Sequence, residues 1–134
     1  MRVEIGPRDL ATDQVTLVRR DTRDKEQVGL TAVAERAQQL LGEVQTSLFE
    51  RALAFREANT HTADDYDRFK EIMQEQRGFI RVYWCGSADC EGRIKEETRA
   101  TIRVIPEDAA ADGPGVCIYD GRPAGVRVLF AQAY

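Results

Sequence analysis

The longest periodic segment of the sequence lies between residues 33 and 55. Apolar residues recur there at helical spacing, which predicts a helix with one apolar face. The stripe comprises Val33, Ala37, Leu40, Val44, Leu48, Ala52 and Phe55, widened by Leu41, Phe49 and Leu53. Thr31 is a suitable N-cap, and the pattern ends near Asn59. The sequence therefore predicts a linking helix over 31–60, with separate structure before and after it.

Short strands are predicted before this helix. Residues 2–5 and 14–18 alternate polar and apolar side chains, and 27–30 adds a third short run. We expect a loop at 9–13 to join the first two strands. A strand that begins at Arg2 needs partners that are not visible here, so this segment is interpreted as a piece of a larger domain.

The segment after the helix mixes both kinds of element, so the predicted fold class is α/β (α+β). A second helix is expected from a cap at Thr62 or Asp64 to Gly78, and a short helix at 87–97. Strands are predicted at 79–84, 101–105 and 126–130. Residues 108–115 are interpreted as a solvated turn without core residues.

Charge and composition exclude some functions. Lys and Arg total 19 against 23 Asp and Glu, a net charge of −4. A strongly basic nucleic-acid wrapper is thereby excluded, although five arginines crowd the first quarter of the chain and permit a local basic face. No apolar run approaches the roughly 20 residues of a membrane span, and the first residues lack a secretion signal. We expect a cytoplasmic protein with no membrane contact.

Three cysteines and an aspartate form the one constellation with a specific chemistry. Cys85 and Cys90 lie in WCGSADC, and Cys117 precedes Asp120 by three residues in CIYDG. Two such turns can place four ligands around Zn²⁺, although carboxylates are less common in closed structural sites. The alternative interpretation is that these are ordinary buried thiols.

Catalytic motifs are not found. The sequence has neither GxxxxGK[ST] nor GxGxxG, and its one histidine, His61, lies in a stretch that is interpreted as a polar loop. A single loop histidine does not build a triad with serine or cysteine. The chain alone is predicted to be inactive.

Six stretches resemble, in order, the prolyl-tRNA synthetases of the archaeal and eukaryotic type, a class II group. They are RVEIGPRDL (2–10), QVTLVRRDT (14–22), LFERALAFREANT (48–60), WCGSADCEGRIKEETRATIRVIP (84–106), CIYDGRPA (117–124) and LFAQAY (129–134). The resemblance implies that residues 1–30 are the last strands of the anticodon-binding domain. It implies that 31–60 is a linking helix and 61–134 a small C-terminal zinc-binding-type domain.

The resemblance also implies site residues. Two cysteine pairs hold structural zinc in this family, and they correspond to Cys85, Cys90, Cys117 and Asp120, so a carboxylate stands in place of the fourth thiol. The family pattern ends in a tyrosine whose carboxylate reaches the catalytic domain, which Tyr134 matches. Arg8, Arg19 and Arg20 are candidates for tRNA phosphate contacts, with solvated surface arginines as the alternative.

The function implied is that of the C-terminal fragment of a ligase that charges tRNA(Pro) with proline. Its partners are tRNA(Pro) and its own catalytic domain, in a homodimeric parent enzyme. ATP and Mg²⁺ are expected to bind only to the missing catalytic domain. The alternative is a freestanding, zinc-stabilised interaction module without an RNA role.

Overall fold

The computed structural model describes residues 1–133, which form helices and sheets of a mixed α/β fold, as predicted. Two compact units are present, Met1–Phe55 and a second that begins at Arg56. The predicted domain boundaries stay a prediction. In chain order the elements are β1 (Arg2–Glu4), α1 (Pro7–Ala11), β2 (Gln14–Val18), β3 (Lys25–Gly29), α2 (Val33–Ala58), β4 (Thr60–Thr62), α3 (Tyr66–Glu75), β5 (Phe79–Trp84), α4 (Ala88–Thr98), β6 (Ala100–Val104), β7 (Gly115–Val116), β8 (Pro123–Ala124) and β9 (Val126–Gln132).

The first unit contains an antiparallel sheet of order β1-β2-β3. Val15 and Leu17 of β2 are buried together with Leu40 of α2 and form its core. The loop expected at 9–13 is wrong in part, because α1 begins at Pro7. Proline suits the first helical turn, because an N–H group at that position has no acceptor within the helix and its absence costs no hydrogen bond.

Helix α2 confirms the long helix predicted from the apolar repeat. Its stripe is only partly covered, because Leu40 and Val44 are its buried members whereas Leu41, Leu48 and Phe49 are 53%, 47% and 63% exposed. Tertiary packing therefore uses a narrower face than the sequence pattern offers. No helix within residues 1–133 is both long enough and apolar enough to cross a membrane.

The second unit is a four-stranded sheet of order β4-β5-β9-β6, in which β4 is parallel to β5 and the other pairs are antiparallel. Helices α3 and α4 contribute apolar side chains to its core. The buried set includes Phe69, Ile72, Met73, Ile80, Val82, Ile94, Val128 and Phe130. Packing in this core fixes the positions of the end of β5 and the start of α4, which is where two of the cysteines lie.

Several expectations for this unit are wrong. The N-cap of α3 is Asp65, whose carboxylate accepts a hydrogen bond from Arg68 N at 2.7 Å, rather than Thr62 or Asp64. That helix ends at Glu75, before the predicted Gly78. Ile105, predicted as the last residue of a strand at 101–105, follows the end of β6 at Val104 and is 56% exposed.

Two polar stretches are more structured than their composition suggests. His61, expected in a loop, lies in β4 and pairs with Ile80 of β5. The supposed solvated turn at 108–115 contains the buried Ala109, whose carbonyl accepts a hydrogen bond from Arg127 N at 2.7 Å. The sheet therefore orders both stretches through backbone partners that local sequence does not reveal.

Candidate metal centre and arginine-lined cavity

The first two cysteines lie on the turn from β5 to α4. Cys85 directly follows the strand, Gly86 adopts a left-handed conformation (φ 82°), and Cys90 lies in the first turn of α4. The indole Nε1 of Trp84 donates a hydrogen bond to Ser87 O at 3.2 Å across this turn. A strand end and a helix start thus present two thiols to the same side.

The third cysteine lies on a tight turn between β7 and β8. Cys117 N donates to Arg122 O at 2.8 Å, and Gly121 N donates to Cys117 O at 3.0 Å. Ile118 N donates to Tyr83 O at 3.0 Å, which fixes this turn against β5. The second turn is therefore held against the strand that leads to the first.

The structure brings the four candidate ligands together. One ligand atom from each of Cys85, Cys90, Cys117 and Asp120 lies within 4.8 Å of all the others. The Sγ atoms of Cys90 and Cys117 are 3.5 Å apart and buried, and Cys85 Sγ is 3.7 Å from Asp120 Oδ2. Burial, together with hydrogen bonding to Cys117, raises the pKa of the Cys90 thiol. Three thiols and a carboxylate on two short turns are a donor set that fits a tetrahedral metal such as zinc.

Arg122 belongs to this cluster, although sequence reasoning missed it. Its Nε donates to Asp120 Oδ2 at 2.7 Å, and its Nη2 lies 3.3 Å from Cys85 Sγ. The guanidinium lowers the pKa of Asp120 to about 2. An arginine two residues after a turn aspartate was the available signal, but its contact with Cys85 depends on the meeting of two distant turns.

A hydrogen-bonded triad lies beside the cysteine turn. The hydroxyl groups of Tyr119 and Tyr66 donate to the two carboxylate oxygens of Glu97 at 2.8 and 2.9 Å. The two phenol rings meet edge to face, with their centroids 5.1 Å apart. The hydrogen bond from Tyr119 contributes most to lowering the pKa of Glu97, and the bond from Tyr66 lowers it further. The triad connects α3 and α4 to the turn that carries Cys117.

In the first unit, basic side chains surround a cavity of about 590 Å³. The lining residues are Met1, Arg2, Val18, Arg19, Arg20, Arg23 and Lys25. Arg20 and Arg23 are exposed, and Arg23 adopts a left-handed backbone conformation (φ 68°). Of the arginines predicted to face RNA, Arg19 and Arg20 line this cavity, whereas Arg8 lies on α1 and does not.

Arg19 is engaged within the protein. Its guanidinium pairs with Asp21 at 2.8 Å and with Glu43 of α2 at 3.0 Å. The Asp21 side chain is fully enclosed, and the hydrogen bond from Arg19 holds the pKa of that carboxyl well below its usual range. Arg19 therefore joins the sheet to α2, and its charge is already neutralised by these acids. Arg20 and Arg23 supply the exposed positive charge of the cavity.

Tyr134, whose carboxylate was expected to reach the catalytic domain, lies outside the residues that the structure describes.

Comparison with known proteins gives two matches in order along the chain. The family described as anticodon binding domain matches residues 1–40, and that described as prolyl-tRNA synthetase, C-terminal, matches 66–134. These two descriptions place the chain among the aminoacyl-tRNA synthetases. The chain belongs to the prolyl-tRNA synthetase family.

Individual relatives agree with this assignment. The chain is similar along its whole length to proteins named proline–tRNA ligase from Cytophaga hutchinsonii (47% identical), Chloroflexus aggregans (51%) and Chlorobium phaeovibrioides (43%). It spans 27%, 28% and 29% of the length of these relatives.

Proposed function

We propose that this chain is the C-terminal part of a proline–tRNA ligase, which charges tRNA(Pro) with proline at the expense of ATP. The observation that carries the proposal is whole-chain identity of 43–51% with proteins of that name. Residues 1–30 then complete an anticodon-binding domain, and 61–134 form the C-terminal domain. Proline, ATP and Mg²⁺ bind to the catalytic domain of the parent enzyme, and this chain supports that domain and the tRNA.

The cavity lined by Arg20 and Arg23 is the proposed contact with the tRNA backbone. Phosphate contacts position a nucleic acid without reading its sequence, and exposed guanidinium groups are suited to them. Arg19 supports this surface indirectly, because Asp21 and Glu43 already neutralise its charge. Arg8 remains a proposed contact on the neighbouring helix α1.

Fluorescence anisotropy with a labelled tRNA(Pro) transcript, repeated at several salt concentrations, tests this role. We expect the double variant Arg20→Gln/Arg23→Gln to bind more weakly. We also expect its negative slope of log K against log salt to become shallower by about 1.5 to 2. The double variant Arg51→Gln/Arg56→Gln, at two exposed positions of α2, removes the same charge and is the matched control. An unchanged slope contradicts the proposed surface. No salt-sensitive binding by the unmodified chain favours the freestanding interaction module.

We also propose that Cys85, Cys90, Cys117 and Asp120 hold a structural Zn²⁺. The closeness of their ligand atoms supports this, since zinc would connect two turns that lie far apart in sequence. Metal analysis of protein purified without added zinc tests it. We expect close to one zinc per chain and loss of the metal in Cys117→Ser; a ratio near zero in the unmodified chain contradicts the proposal.

The remaining assignments concern the parent enzyme. It is proposed to be a cytoplasmic homodimer, in which the carboxylate of Tyr134 contacts the catalytic domain. A tag added after Tyr134 is expected to lower the aminoacylation rate of the whole enzyme, because it removes the free terminal carboxylate. A tag at the start of the whole enzyme is the control, and equal rates for both tagged forms contradict this role.

A further inference from the structure

Arg122 contacts two of the four residues that would hold a metal at this site, Asp120 and Cys85. Asp120 Oδ1 accepts a hydrogen bond from Arg122 N at 3.1 Å, and Oδ2 accepts from its Nε at 2.7 Å and lies 2.6 Å from its Nη2. The same Nη2 is 3.3 Å from Cys85 Sγ. One guanidinium therefore bridges a donor on the turn after β5 and a donor on the turn between β7 and β8.

We propose that Arg122 is an internal cation that closes the metal-free site and competes with zinc for Asp120 and Cys85. The proposal rests on the zinc site proposed above. Metal binding requires the guanidinium to release at least one donor, because its hydrogen bonds use the lone pairs that would coordinate the ion. A guanidinium 3.3 Å from Cys85 Sγ would also repel a divalent cation bound to that sulfur, which further opposes metal binding.

The geometry allows such an exchange. The Arg122 side chain is 57% exposed, so it can turn into solvent without crossing the core. The hydrogen bond to Asp120 Oδ1 is donated by the backbone N–H of Arg122 and does not depend on the guanidinium. The Asp120 carboxylate thus keeps its orientation when Oδ2 exchanges the Arg122 guanidinium for the metal ion.

The pairing also accounts for what a carboxylate contributes at position 120. A guanidinium makes strong charge-assisted hydrogen bonds to a carboxylate, whereas a thiol offers only a weak acceptor. Asp120 is therefore the better partner for Arg122, while cysteine is the better partner for zinc. In the metal-free protein, the contacts of the Arg122 guanidinium with Asp120 and Cys85 connect the two turns, which the ion would otherwise do.

Two measurements on Arg122→Gln in the full chain test the competition. The first is the thermal midpoint after treatment with a chelator, which we expect to fall. The second is Zn²⁺ affinity by competition with a chromophoric chelator, which we expect to tighten by up to about fivefold, the upper end of what an exposed ion pair contributes. Arg122→Lys is expected to tighten binding less and protects the test if the glutamine variant fails to fold. Arg51→Gln is expected to change neither quantity.

The outcomes separate this proposal from the zinc site itself. Unchanged or weaker zinc affinity in Arg122→Gln overturns the competition, whatever the thermal midpoint does. An unchanged midpoint in chelator overturns the closing role in the metal-free state. Asp120→Cys provides the reference: if it binds zinc while the unmodified chain and Arg122→Gln do not, the competition fails but the turns still form a metal site. If none of the three binds zinc, the zinc site is wrong.

Discussion

Replacing Gly78 by alanine is expected to destabilise the second unit strongly. Gly78 connects α3 to β5 in a left-handed conformation (φ 87°), which costs an L-residue about 1 to 2 kcal/mol. A Cβ at this position would overlap the backbone oxygen of Asn59. That oxygen accepts a hydrogen bond from Phe79 N at 2.9 Å, and loss of such a bond costs about 1 kcal/mol. Together these terms lower the free energy of unfolding by about 2 to 3 kcal/mol.

Urea denaturation followed by the fluorescence of Trp84 measures this change. Trp84 is the one tryptophan in the sequence and packs against the core of the second unit, so the signal reports that unit. Gly92→Ala is the matched control, because Gly92 lies inside α4 with open space around it. It is expected to stabilise by about 1 kcal/mol through helix propensity. A Gly78→Ala protein within about 0.5 kcal/mol of the unmodified chain would refute the reasoning.

Two further variants probe polar contacts of the second unit. Glu97→Gln is expected to lower the urea midpoint at neutral pH and to make stability fall less as the pH drops below about 4.5. The lowered pKa of Glu97 contributes stability that is present above the unfolded value of 4.5 and is lost as the pH falls through the folded pKa. Equal pH profiles for both proteins contradict this. Arg127→Lys is expected to destabilise by about 1 kcal/mol, since the guanidinium lies 4.1 Å from the Tyr83 ring centroid and its planar fork is lost. Arg51→Lys, the same change at an exposed position of α2, is the control in the same fluorescence assay, and equal stability of Arg127→Lys and the unmodified chain would count against the stacking.

Elements with a strong local pattern could be predicted from the sequence. Strands β2 and β5 match their predicted spans to the residue, because both are rich in β-branched or apolar side chains and bounded by polar turns. Strand β4 could not be predicted, since Thr-His-Thr has no apolar repeat and becomes a strand by pairing with β5. Burial of Ala109 likewise depends on a backbone partner, Arg127, that is distant in sequence.

The candidate site shows the same division. The spacing of the cysteines and Asp120 indicated the cluster that the structure assembles, because each pair lies on a turn whose geometry is local. The roles of Arg19 and Arg122 could not be read from sequence. Each arginine is matched to its acids by tertiary structure, Arg19 through Glu43 on α2 and Arg122 through the turn after β5.

The position of β9 in the sheet has a consequence for synthesis. It lies between β5 and β6, although it follows both in the chain. As the polypeptide leaves the ribosome, β5 and β6 emerge first and lack the neighbour that joins them until residues 126–132 are available. The second unit is therefore expected to complete its sheet only after β9 emerges, and a stop codon before Val126 leaves two strands with open edges, a state prone to aggregation.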